Sequence, residues 1–410
     1  MMAVGDVRRS LAACMQCGAC AGVCPMTGLH GFNVRRLAKR AYMGWAERSL
    51  REDVWLCLLC ARCYEECPRG IDLPEVLVEL RQEAVERRLA PWVVDLSRRN
   101  LLRRGNPLGV RAGELAGWAA DLGVPKSSPR LFYAGFYALA DHLESLVRLT
   151  LKLGPRARRA AAILQRLGLS GLAGVAMRGV GWSSRQTLRR YLLALPKLGL
   201  EVSYLYEEEP WAGTELHTFG LLQDFAEHAK RVHASLRERG VEEIVTPDPI
   251  AAATFRELYP KYVDGFSIEV KTVVEALAGR KVEFRAPVEV EAVFHDPCWL
   301  ARYLKVVEEP RSLLASIPGL KLREAVRNRQ SAVCCGAGGL EVIEPSLAEE
   351  VAAKSARNLL SSGASLMVSA CPICTFMLKL GVERLRRERR AGAAVEVLDL
   401  GDLLWKALGW

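Results

Sequence analysis

The chain has 410 residues, of which 50% are hydrophobic and 25% are charged. This globular composition excludes a largely disordered protein, and the length allows two or three domains. The formal net charge of +10 raises nucleic acid or acidic lipid as partners, while no run reaches the roughly 18 apolar residues of a membrane span.

The most apolar stretch shows why no direct membrane span is expected. It covers residues 131–153 and is interrupted by Asp141, His142, Glu144 and Arg148. No signal peptide opens the chain, and the 13 cysteines do not follow a secreted disulfide pattern. We therefore expect a reducing, cytoplasmic compartment, with any membrane role passing through a partner.

Two runs of four cysteines mark the N-terminal part. Each run has the spacing C-x2-C-x2-C-x3-C-P, which is typical of ferredoxins with two [4Fe-4S] clusters. In such proteins the fourth cysteine of each run binds the other cluster. The spacing therefore predicts one cluster on Cys14, Cys17, Cys20 and Cys67, and a second on Cys57, Cys60, Cys63 and Cys24.

Two helices are predicted around the second run. The first covers residues 34–51 and has a basic face, which could dock an acidic partner or could be a solvated face that balances cluster charge. The second begins after Pro74 and ends near residue 90, which closes an α-helical ferredoxin domain of residues 1–90. Residues 91–130 are rich in charge and turn formers and predict a linker.

Helical and strand patterns alternate from residue 131 onward, as in α/β layers. Residues 131–135 predict an opening strand, and the basic segment 156–172, within an insert near residues 137–180, predicts an additional helix. One apolar pattern occurs twice, at residues 268–277 and 395–404.

The turns upstream of this pattern also correspond. Thr246 and Pro249 stand where Cys371 and Cys374 stand, and residues 209–213 stand where Cys334, Cys335 and Gly336 form a turn. The sequence thus predicts two copies of one α/β unit, residues 131–285 and 286–410. Because the first copy has no cysteine, we expect a thiolate site only in the second.

Five cysteines of the second copy fall in the pattern C-x35-CC-x35-C-x2-C, namely Cys298, Cys334, Cys335, Cys371 and Cys374. The adjacent pair indicates ligands, because neighbouring side chains diverge and a disulfide between neighbours is strained. Zinc takes four ligands, usually as two close pairs, so five thiolates at three places favour an iron–sulfur cluster over zinc or buried thiols. Three clusters would offset roughly six of the positive charges, so no nucleic acid is needed as a partner.

Glycines and a strand end flank these cysteines. Gly336, Gly338 and Gly339 free the backbone to bend around a bulky cofactor and to direct amides at its sulfurs. The turn from Cys371 to Cys374 follows an apolar run, and sheet proteins place their sites at the C-terminal ends of strands. We predict that the five cysteines form a cofactor site and that the three glycines bind the cofactor.

The motifs resemble those of heterodisulfide reductases. Residues 14–84 resemble their C subunit, through Trp55-Leu56-Cys57 and Tyr64-Glu65-Glu66-Cys67-Pro68-Arg69-Gly70, and the second half resembles their B subunit, whose cysteine-rich domains carry the CCG signature. A chain that joins both is similar to the D subunit of the membrane-bound heterodisulfide reductase and, more closely, to DsrK, the K subunit of the sulfate reducers' DsrMKJOP membrane complex. In the K subunit the first CCG copy has likewise lost its ligands. The matching turns here are His295-Asp296-Pro297-Cys298 and Asn328-Arg329, the latter followed by Cys334-Cys335-Gly336-Ala337-Gly338-Gly339.

The resemblance implies an α+β multidomain fold, with an α-helical ferredoxin domain carrying two [4Fe-4S] clusters and two α/β CCG-type repeats, the first degenerate. It implies that the two clusters feed a further iron–sulfur cluster, cubane or non-cubane, at which a disulfide or trisulfide is reduced or formed. The implied partners are a membrane cytochrome b or quinone-interacting subunit and a substrate that could be carried on a small protein. Five thiolates for four irons would leave one iron open to a substrate sulfur, whereas the empty first copy speaks against cleavage from both sides.

Two other functions remain open. The chain could be an iron–sulfur electron-transfer subunit of a quinone-linked lactate, glycolate or glycerol-3-phosphate dehydrogenase, or a scaffold with a structural zinc. No Rossmann-type glycine fingerprint follows a strand, so we expect neither flavin nor nicotinamide. Lys305, Arg302 and His295 are candidates for proton supply or for binding an acidic substrate, and His295 is also explained as a turn residue that fixes Asp296 or the backbone.

Overall fold

The structure is a computed structural model that describes residues 10–44, 47–154, 183–280, 282–389 and 395–409. Its N-terminal part is helical, and two parallel sheets follow. None of the helices in these ranges is both long enough and apolar enough to cross a bilayer. The additional helix predicted over residues 156–172 lies outside the described residues.

The eight N-terminal cysteines lie on and between short helices. Asn33 begins the second of these helices by accepting a hydrogen bond from the Arg36 amide at 3.1 Å, and Gly44 ends it with φ of 78°. This left-handed turn divides the helix predicted over residues 34–51 into two. The helices of this part are α1 (Ala19–Val23), α2 (Val34–Met43), α3 (Glu47–Arg51), α4 (Arg62–Glu65) and α5 (Leu73–Glu86), with 3-10 turns at Leu29–Gly31 and Asp53–Leu56.

The segment predicted as a linker contains helices α6 (Trp92–Arg104) and α7 (Ala112–Ala116) and a 3-10 turn at Gly117–Ala119. Val94, Leu101 and Trp118 are buried in the core. Arg98 pairs with Asp224 through two hydrogen bonds of 2.6 and 2.9 Å. Because apolar spacing as well as charge runs through this segment, it packs against the rest of the chain instead of forming an irregular connection.

The first sheet has three parallel strands in the order β1-β2-β3. Leu131 of β1 also forms a parallel bridge to Ser203 on the outer side. The strands are β1 (Arg130–Phe132), β2 (Glu243–Thr246) and β3 (Glu269–Thr272). The helices around them are α8 (Tyr137–Leu153), α9 (Ser184–Lys197), α10 (Thr214–Thr218), α11 (Leu222–Glu238), α12 (Pro249–Ala253), α13 (Tyr259–Tyr262) and α14 (Val273–Leu277), with a 3-10 turn at Tyr206–Glu208 and a π turn at Thr254–Leu258.

The second sheet has four parallel strands in the order β5-β4-β6-β7. The strands are β4 (Val290–His295), β5 (Leu320–Arg323), β6 (Leu366–Ser369) and β7 (Glu396–Asp399). The helices are α15 (Glu309–Ala315), α16 (Leu340–Ile343), α17 (Pro345–Leu360), α18 (Pro372–Arg387) and α19 (Leu400–Ala407), with a π turn at Trp299–Tyr303 and a 3-10 turn at Arg329–Ser331.

The helices that follow β2 and β6 begin in the same way. Their first residues correct the correspondence that the sequence predicted between the two turns. Asp248 caps α12 directly before Pro249, and Cys371 caps α18 directly before Pro372. Asp248, and not Thr246, therefore occupies the position that corresponds to Cys371, and Thr246 corresponds to the strand end Ser369. The sequence comparison was two residues out of register because it matched prolines at different places in the two turns.

One apolar core joins all three parts of the chain, since it includes Trp55, Leu131 and Phe294. The two sheets are also locked by polar contacts, because the Tyr137 and Tyr191 hydroxyls donate to the Asp399 carboxylate at 2.7 and 3.1 Å. The core and these contacts hold the strand ends, and the cysteines that follow them, in fixed positions.

Buried Arg81 fastens the helical part to the sheets. Its guanidinium donates to the backbone oxygens of Val54 at 3.0 Å and of Cys57 and Thr218 at 2.7 Å each. Two of these oxygens belong to the helical part and one to the segment after β1. The loop of the second cysteine run is therefore held against the first sheet region.

Candidate metal centres

Two neighbouring strands of the second sheet end at the same point and position the cysteine pocket. His295 of β4 pairs in register with Ser369 of β6. Cys298 follows β4 as the cap of a π turn, Cys371 follows β6 as the cap of α18, and Cys374 lies in the first turn of that helix. The pocket is completed by Cys334 and Cys335, from the loop between β5 and α16, and all five cysteines are at most 9% exposed.

The sulfur atoms of these five cysteines form one chain of contacts. The Cys334 thiol interacts with those of Cys298 and Cys335. The sulfurs of Cys335 and Cys374 are 3.3 Å apart, and Cys374 interacts in turn with Cys371. The structure thus brings together all five cysteines that the sequence singled out.

The surroundings of these thiols raise the pKa of three of them and lower the pKa of a fourth. Interactions with Cys298, Cys335 and Cys60 raise the pKa of Cys334, and burial raises the pKa of Cys371 and Cys374. The pKa of Cys335 is lowered, because the thiols of Cys334 and Cys374 donate to it. Five thiolates cannot share this pocket without positive charge, and iron ions would supply that charge.

Three buried polar atoms beside the cysteines have no hydrogen-bond partner within the described ranges: His295 Nε2, Ser369 Oγ and Arg302 Nη2. Unpaired buried polar atoms are rare in folded proteins, and the ring of His295 faces the sulfur of Cys335. The sulfurs of an iron–sulfur cluster accept such hydrogen bonds. The donor set therefore fits a cluster bound by the five cysteines.

His295 lies closer to the sulfurs than its sequence context indicates. One of its ring nitrogens and the sulfurs of Cys335 and Cys374 all lie within 4.8 Å of one another, so His295 could also reach a metal ion. Asp296 is held by Arg311 at 2.8 and 3.0 Å and by the Arg329 amide at 2.7 Å. The interpretation of His295 as a turn residue that fixes Asp296 or the backbone stays a prediction, while the parallel pairing of β4 with β6 positions its ring beside Cys335.

The three glycines after Cys335 have close protein neighbours. They have φ angles of 93–96°. A Cβ at Gly336 would come within 2.4 Å of the Ala348 oxygen, and a Cβ at Gly338 within 2.2 Å of the Leu58 oxygen. Packing alone thus requires glycine at these two positions, and cofactor binding by the three glycines remains a prediction.

The eight N-terminal cysteines fall into two neighbouring groups. Burial raises the pKa of Cys20, with further contributions from Cys14, Cys17 and Cys67. In the other group, burial raises the pKa of Cys24 to about 12, with further contributions from Cys60 and Cys57, and the pKa of Cys63 is raised by burial and by Cys57, Cys60 and Cys24. Because Cys20 also acts on Cys63, the two groups adjoin each other, and their assignment to two separate clusters, each with its fourth cysteine from the other run, stays a prediction.

The second of these groups lies next to the five-cysteine pocket. The Cys60 thiol interacts with Cys334, and this interaction lowers the pKa of Cys60 to about 6. Nearby, the Tyr303 hydroxyl donates to the Leu59 oxygen at 2.7 Å. The first group does not share this environment, because its Cys17 is exposed.

The two basic candidates for substrate binding have other partners. Lys305 forms an ion pair with Glu65, which links the second half to the N-terminal part at the surface. Arg302 is 3% exposed and donates to the backbone oxygens of Cys60, Gln330 and Ala332. Arg302 is therefore closed to an acidic substrate from solvent, whereas substrate binding by the exposed Lys305 stays a prediction.

Comparisons with known proteins agree with two of these regions. The family model described as 4Fe-4S dicluster domain matches residues 10–71. The model described as cysteine-rich domain, CCG, matches residues 292–379. Together with the clustered cysteines, these matches identify the chain as a protein of several [4Fe-4S] clusters.

Relatives are similar over most of the chain. It is 26% identical over 374 residues to the "Probable iron-sulfur-binding oxidoreductase FadF" of Bacillus subtilis, an alignment that covers 86% of this chain and 46% of that protein. It is 23% identical over 439 residues to the D subunit of the dihydromethanophenazine:CoB–CoM heterodisulfide reductase of Methanosarcina barkeri, covering 97% of this chain and 94% of the relative. The chain thus spans about half the length of the first relative, and its resemblance to the D subunit of heterodisulfide reductase is confirmed.

A solved structure supports the fold alone. The "Crystal structure of a hypothetical protein from Helicobacter pylori" superposes with a TM-score of 0.57 at 14% identity, covering 92% of this chain and 66% of the other. The architecture of mixed helices and sheets therefore occurs in a protein of distant sequence.

Proposed function

We propose that this chain, an iron–sulfur oxidoreductase similar to the D subunit of heterodisulfide reductase, is the catalytic iron–sulfur subunit of a redox complex. Electrons pass through two [4Fe-4S] clusters on the N-terminal cysteines to a further cluster on Cys298, Cys334, Cys335, Cys371 and Cys374. There a disulfide or trisulfide is reduced or formed. The complex is cytoplasmic and reaches the membrane through a partner, either a cytochrome b or a quinone-interacting subunit.

The proximity of Cys60 to Cys334 carries this proposal, and hydrogen bonds from Arg302 to the Cys60 oxygen and from Tyr303 to the Leu59 oxygen fix it. Cys60 belongs to the group predicted to bind one N-terminal cluster, and Cys334 belongs to the five-cysteine pocket. Ligands that lie side by side place their two metal centres next to each other. The electron route therefore needs no further carrier between the N-terminal part and the pocket.

The opposite end of the route is open to a partner. Cys17 is exposed, and the neighbouring Met15 is 63% exposed. Exposed Arg35 of α2 reaches back to this loop through a hydrogen bond to the Gln16 oxygen at 3.4 Å. Electrons would therefore enter from the partner at the Cys14–Cys17–Cys20–Cys67 group and leave through the Cys57–Cys60–Cys63–Cys24 group.

The pocket provides what sulfur chemistry needs from the chain. A bound cluster would supply single electrons and an iron able to hold a substrate sulfur. The chain contributes five buried thiols, which exclude water, and His295 with an unpaired ring nitrogen in the described part of the chain, which can hold a proton near Cys335. These residues suit a reaction in which two electrons arrive one at a time and a thiol leaves.

In this proposal the first half is a copy of the second that has lost its ligands. Phe136 and Asp248 hold the helix-cap positions that Cys298 and Cys371 hold in the second half. The Glu209 carboxylate accepts the amides of residues 134 and 135 at 2.9 and 3.2 Å, and Asp248 accepts the Phe136 amide at 2.8 Å. Carboxylates thus take backbone hydrogen bonds that, around a cluster, would go to sulfur.

The rival function is that of an electron-transfer subunit in a quinone-linked dehydrogenase for lactate, glycolate or glycerol 3-phosphate. It makes the same use of the N-terminal clusters but requires no substrate at the pocket. The two functions differ in whether a thiol or disulfide changes the electronic state of the pocket cluster.

Anaerobic iron and acid-labile sulfide analysis, combined with electron paramagnetic resonance, tests the proposal. Roughly twelve irons per chain are expected, with about four lost in Cys335→Ser and the other eight retained. An oxidised-state signal that changes on addition of a thiol, and that is absent from Cys335→Ser, would support sulfur chemistry. Eight irons with one zinc, or a signal indifferent to thiols and disulfides, would contradict the catalytic role.

A further inference from the structure

Arg302 lies between the two neighbouring metal centres. It belongs to the π turn after Cys298 and is 3% exposed. Its Nε donates to the Cys60 oxygen, and its Nη1 donates to the oxygens of Gln330 and Ala332 at 2.9 and 3.0 Å. One guanidinium therefore binds the loop that carries Cys60 and the loop that leads to Cys334.

The charge of Arg302 is not balanced by a carboxylate in the described ranges. Its Nη2 is buried and has no hydrogen-bond partner there. A neighbouring arginine differs, since Arg311 pairs with the carboxylates of Asp296 and Glu324. Burying a cation without an anion costs several kcal/mol, so negative charge is expected at this point.

Three cysteine side chains that would be thiolates in metal centres face Arg302. Cys60, Cys298 and Cys334 act on its charge, and they belong to two different metal centres. Its other contacts are neutral backbone oxygens. The negative charge that balances this guanidinium therefore comes from the two cysteine centres.

We propose that Arg302 sets the reduction potentials of both facing clusters and that its free Nη2 donates hydrogen bonds to sulfur in the five-cysteine pocket. This inference rests on the proposed function, because it requires a cluster at each centre. Reduction adds one negative charge to a cluster, and a fixed cation and N–H donors stabilise the reduced form. Because one side chain acts on both clusters, it raises both reduction potentials together. The difference between the two potentials therefore stays small. Arg302 is a positioning residue that acts through the cluster and not on the substrate.

Potentiometric titration of the complete protein, followed by electron paramagnetic resonance, measures this effect. In Arg302→Gln we expect the equilibrium constant for reduction of each cluster to fall at least tenfold. This corresponds to a fall of about 59 mV in each reduction potential. Arg302→Lys keeps the charge but loses the forked geometry, so a smaller fall is expected. Arg256→Gln is the matched control, because Arg256 also donates to a backbone oxygen near this turn, that of Leu304 at 3.2 Å, but is paired with Glu275 at 2.9 Å. No change is expected in the control.

The outcomes separate this inference from the proposed function. Unchanged potentials in an Arg302→Gln protein that retains roughly twelve irons would overturn the role of Arg302 and leave the proposed function intact. A fall at the N-terminal cluster alone would overturn the double role. A wild-type protein with only eight irons would instead remove the pocket cluster, and the proposed function with it.

A second measurement avoids dependence on the folding of the glutamine variant. Wild-type protein is labelled with arginine carrying ¹⁵N in the guanidinium, and electron–nuclear double resonance is recorded on the signal of the pocket cluster. A ¹⁵N coupling that disappears in Arg302→Lys supports the proposed hydrogen bond. Absence of any coupling in the wild type overturns it.

Discussion

Gly338 lies against the backbone oxygen of Leu58, so closely that a Cβ on the glycine would come within 2.2 Å of that oxygen. Leu58 follows Cys57, and Gly338 follows Cys335 by three residues. The two loops that carry metal-binding candidates can approach one another only because this side chain is absent.

We expect Gly338→Ala to destabilise the protein by about 3 kcal/mol, through the left-handed φ and the clash with Leu58. Urea unfolding of the anaerobic protein measures the change. Gly265→Ala is the control, since Gly265 has φ of +70° but no heavy atom within 4 Å of the place that a Cβ would take, and about 1 kcal/mol is expected there. Equal losses in the two variants would contradict close packing of the loops.

The crossed grouping of the eight cysteines predicts which cluster each substitution removes. Cys24→Ala should remove the cluster that also uses Cys57, Cys60 and Cys63, although Cys24 belongs to the first run. Electrons would then no longer reach the pocket. Stopped-flow reduction monitored by electron paramagnetic resonance is expected to show the remaining N-terminal cluster reduced and the pocket cluster oxidised.

Cys67→Ala is the reciprocal test, because Cys67 lies with Cys14, Cys17 and Cys20. This variant should lose the outer cluster and keep the one next to Cys334. Loss of the same cluster in both variants would refute the crossed grouping.

The buried pair of Arg311 and Asp296 holds the turn that leads to Cys298. Arg311→Met leaves the carboxylate buried without its cation, so a loss of roughly 3–5 kcal/mol is expected, with reduced iron in the pocket. The double variant Arg311→Met/Asp296→Asn removes both charges and should recover part of this stability. Chemical unfolding and iron analysis of the three proteins check the prediction, which fails if the double variant is the least stable.

Asp248 makes the stability of the first half depend on pH. Burial raises the pKa of its carboxyl to about 6, from about 3.8 in an unfolded chain. Because the folded pKa is the higher one, the protonated form contributes stability that is complete below the unfolded pKa and is lost as the pH rises through 6. Between pH 5.5 and 7.5 this loss is about 1 kcal/mol.

Asp248→Asn should remove that contribution and make the curve of unfolding free energy against pH less steep, while the carboxyls of Glu209 and Glu215, whose pKa values burial also raises, keep part of the slope. Of the groups that face Asp248, Glu209, Glu215 and Cys371 remain in the variant, so the difference between the two proteins isolates Asp248. Parallel curves for the two proteins would exclude Asp248 as the titrating group.

Removal of iron should leave a reactive thiol pair in the pocket. The sulfurs of Cys335 and Cys374 are 3.3 Å apart, and the pKa of Cys335 is lowered by its neighbours. Treatment of the iron-free protein with hydrogen peroxide should convert Cys335 to a sulfenic acid, which the Cys374 thiol attacks to form a disulfide and release water. Peptide mapping without reductant is expected to find this link, while the anaerobic iron-loaded protein remains free of it. A Cys298–Cys371 link in its place, between the two ends of the chain of sulfur contacts, would contradict their order.

The local cysteine motifs allowed the metal-binding candidates to be predicted from sequence. The spacing within each run predicts how the eight N-terminal cysteines are grouped. The pattern around Cys334 and Cys335 predicts the cysteine pocket. These signals are local because a tight loop must present several thiols to one metal centre. The placement of Cys371 and Cys374 followed from the end of β6, which the apolar run before Cys371 also predicts.

Contacts between distant parts could not be predicted in the same way. Nothing in the sequence next to Cys60 indicates that it meets Cys334, and Arg302 has no local feature that distinguishes a buried cation from a surface one. The segment of residues 91–130 was interpreted by its charges, whereas the buried Val94 and Trp118 determine how it packs. Such features depend on tertiary packing, which composition and periodicity do not specify.

The carboxylates of Glu209 and Asp248 also determine how the first half could be engineered. Together they accept three successive amides, those of residues 134–136. A single cysteine introduced at either position would leave amides unpaired before enough thiolates were present to hold iron. A second metal centre would therefore require several substitutions at once, which stepwise evolution would have to reach through unstable intermediates.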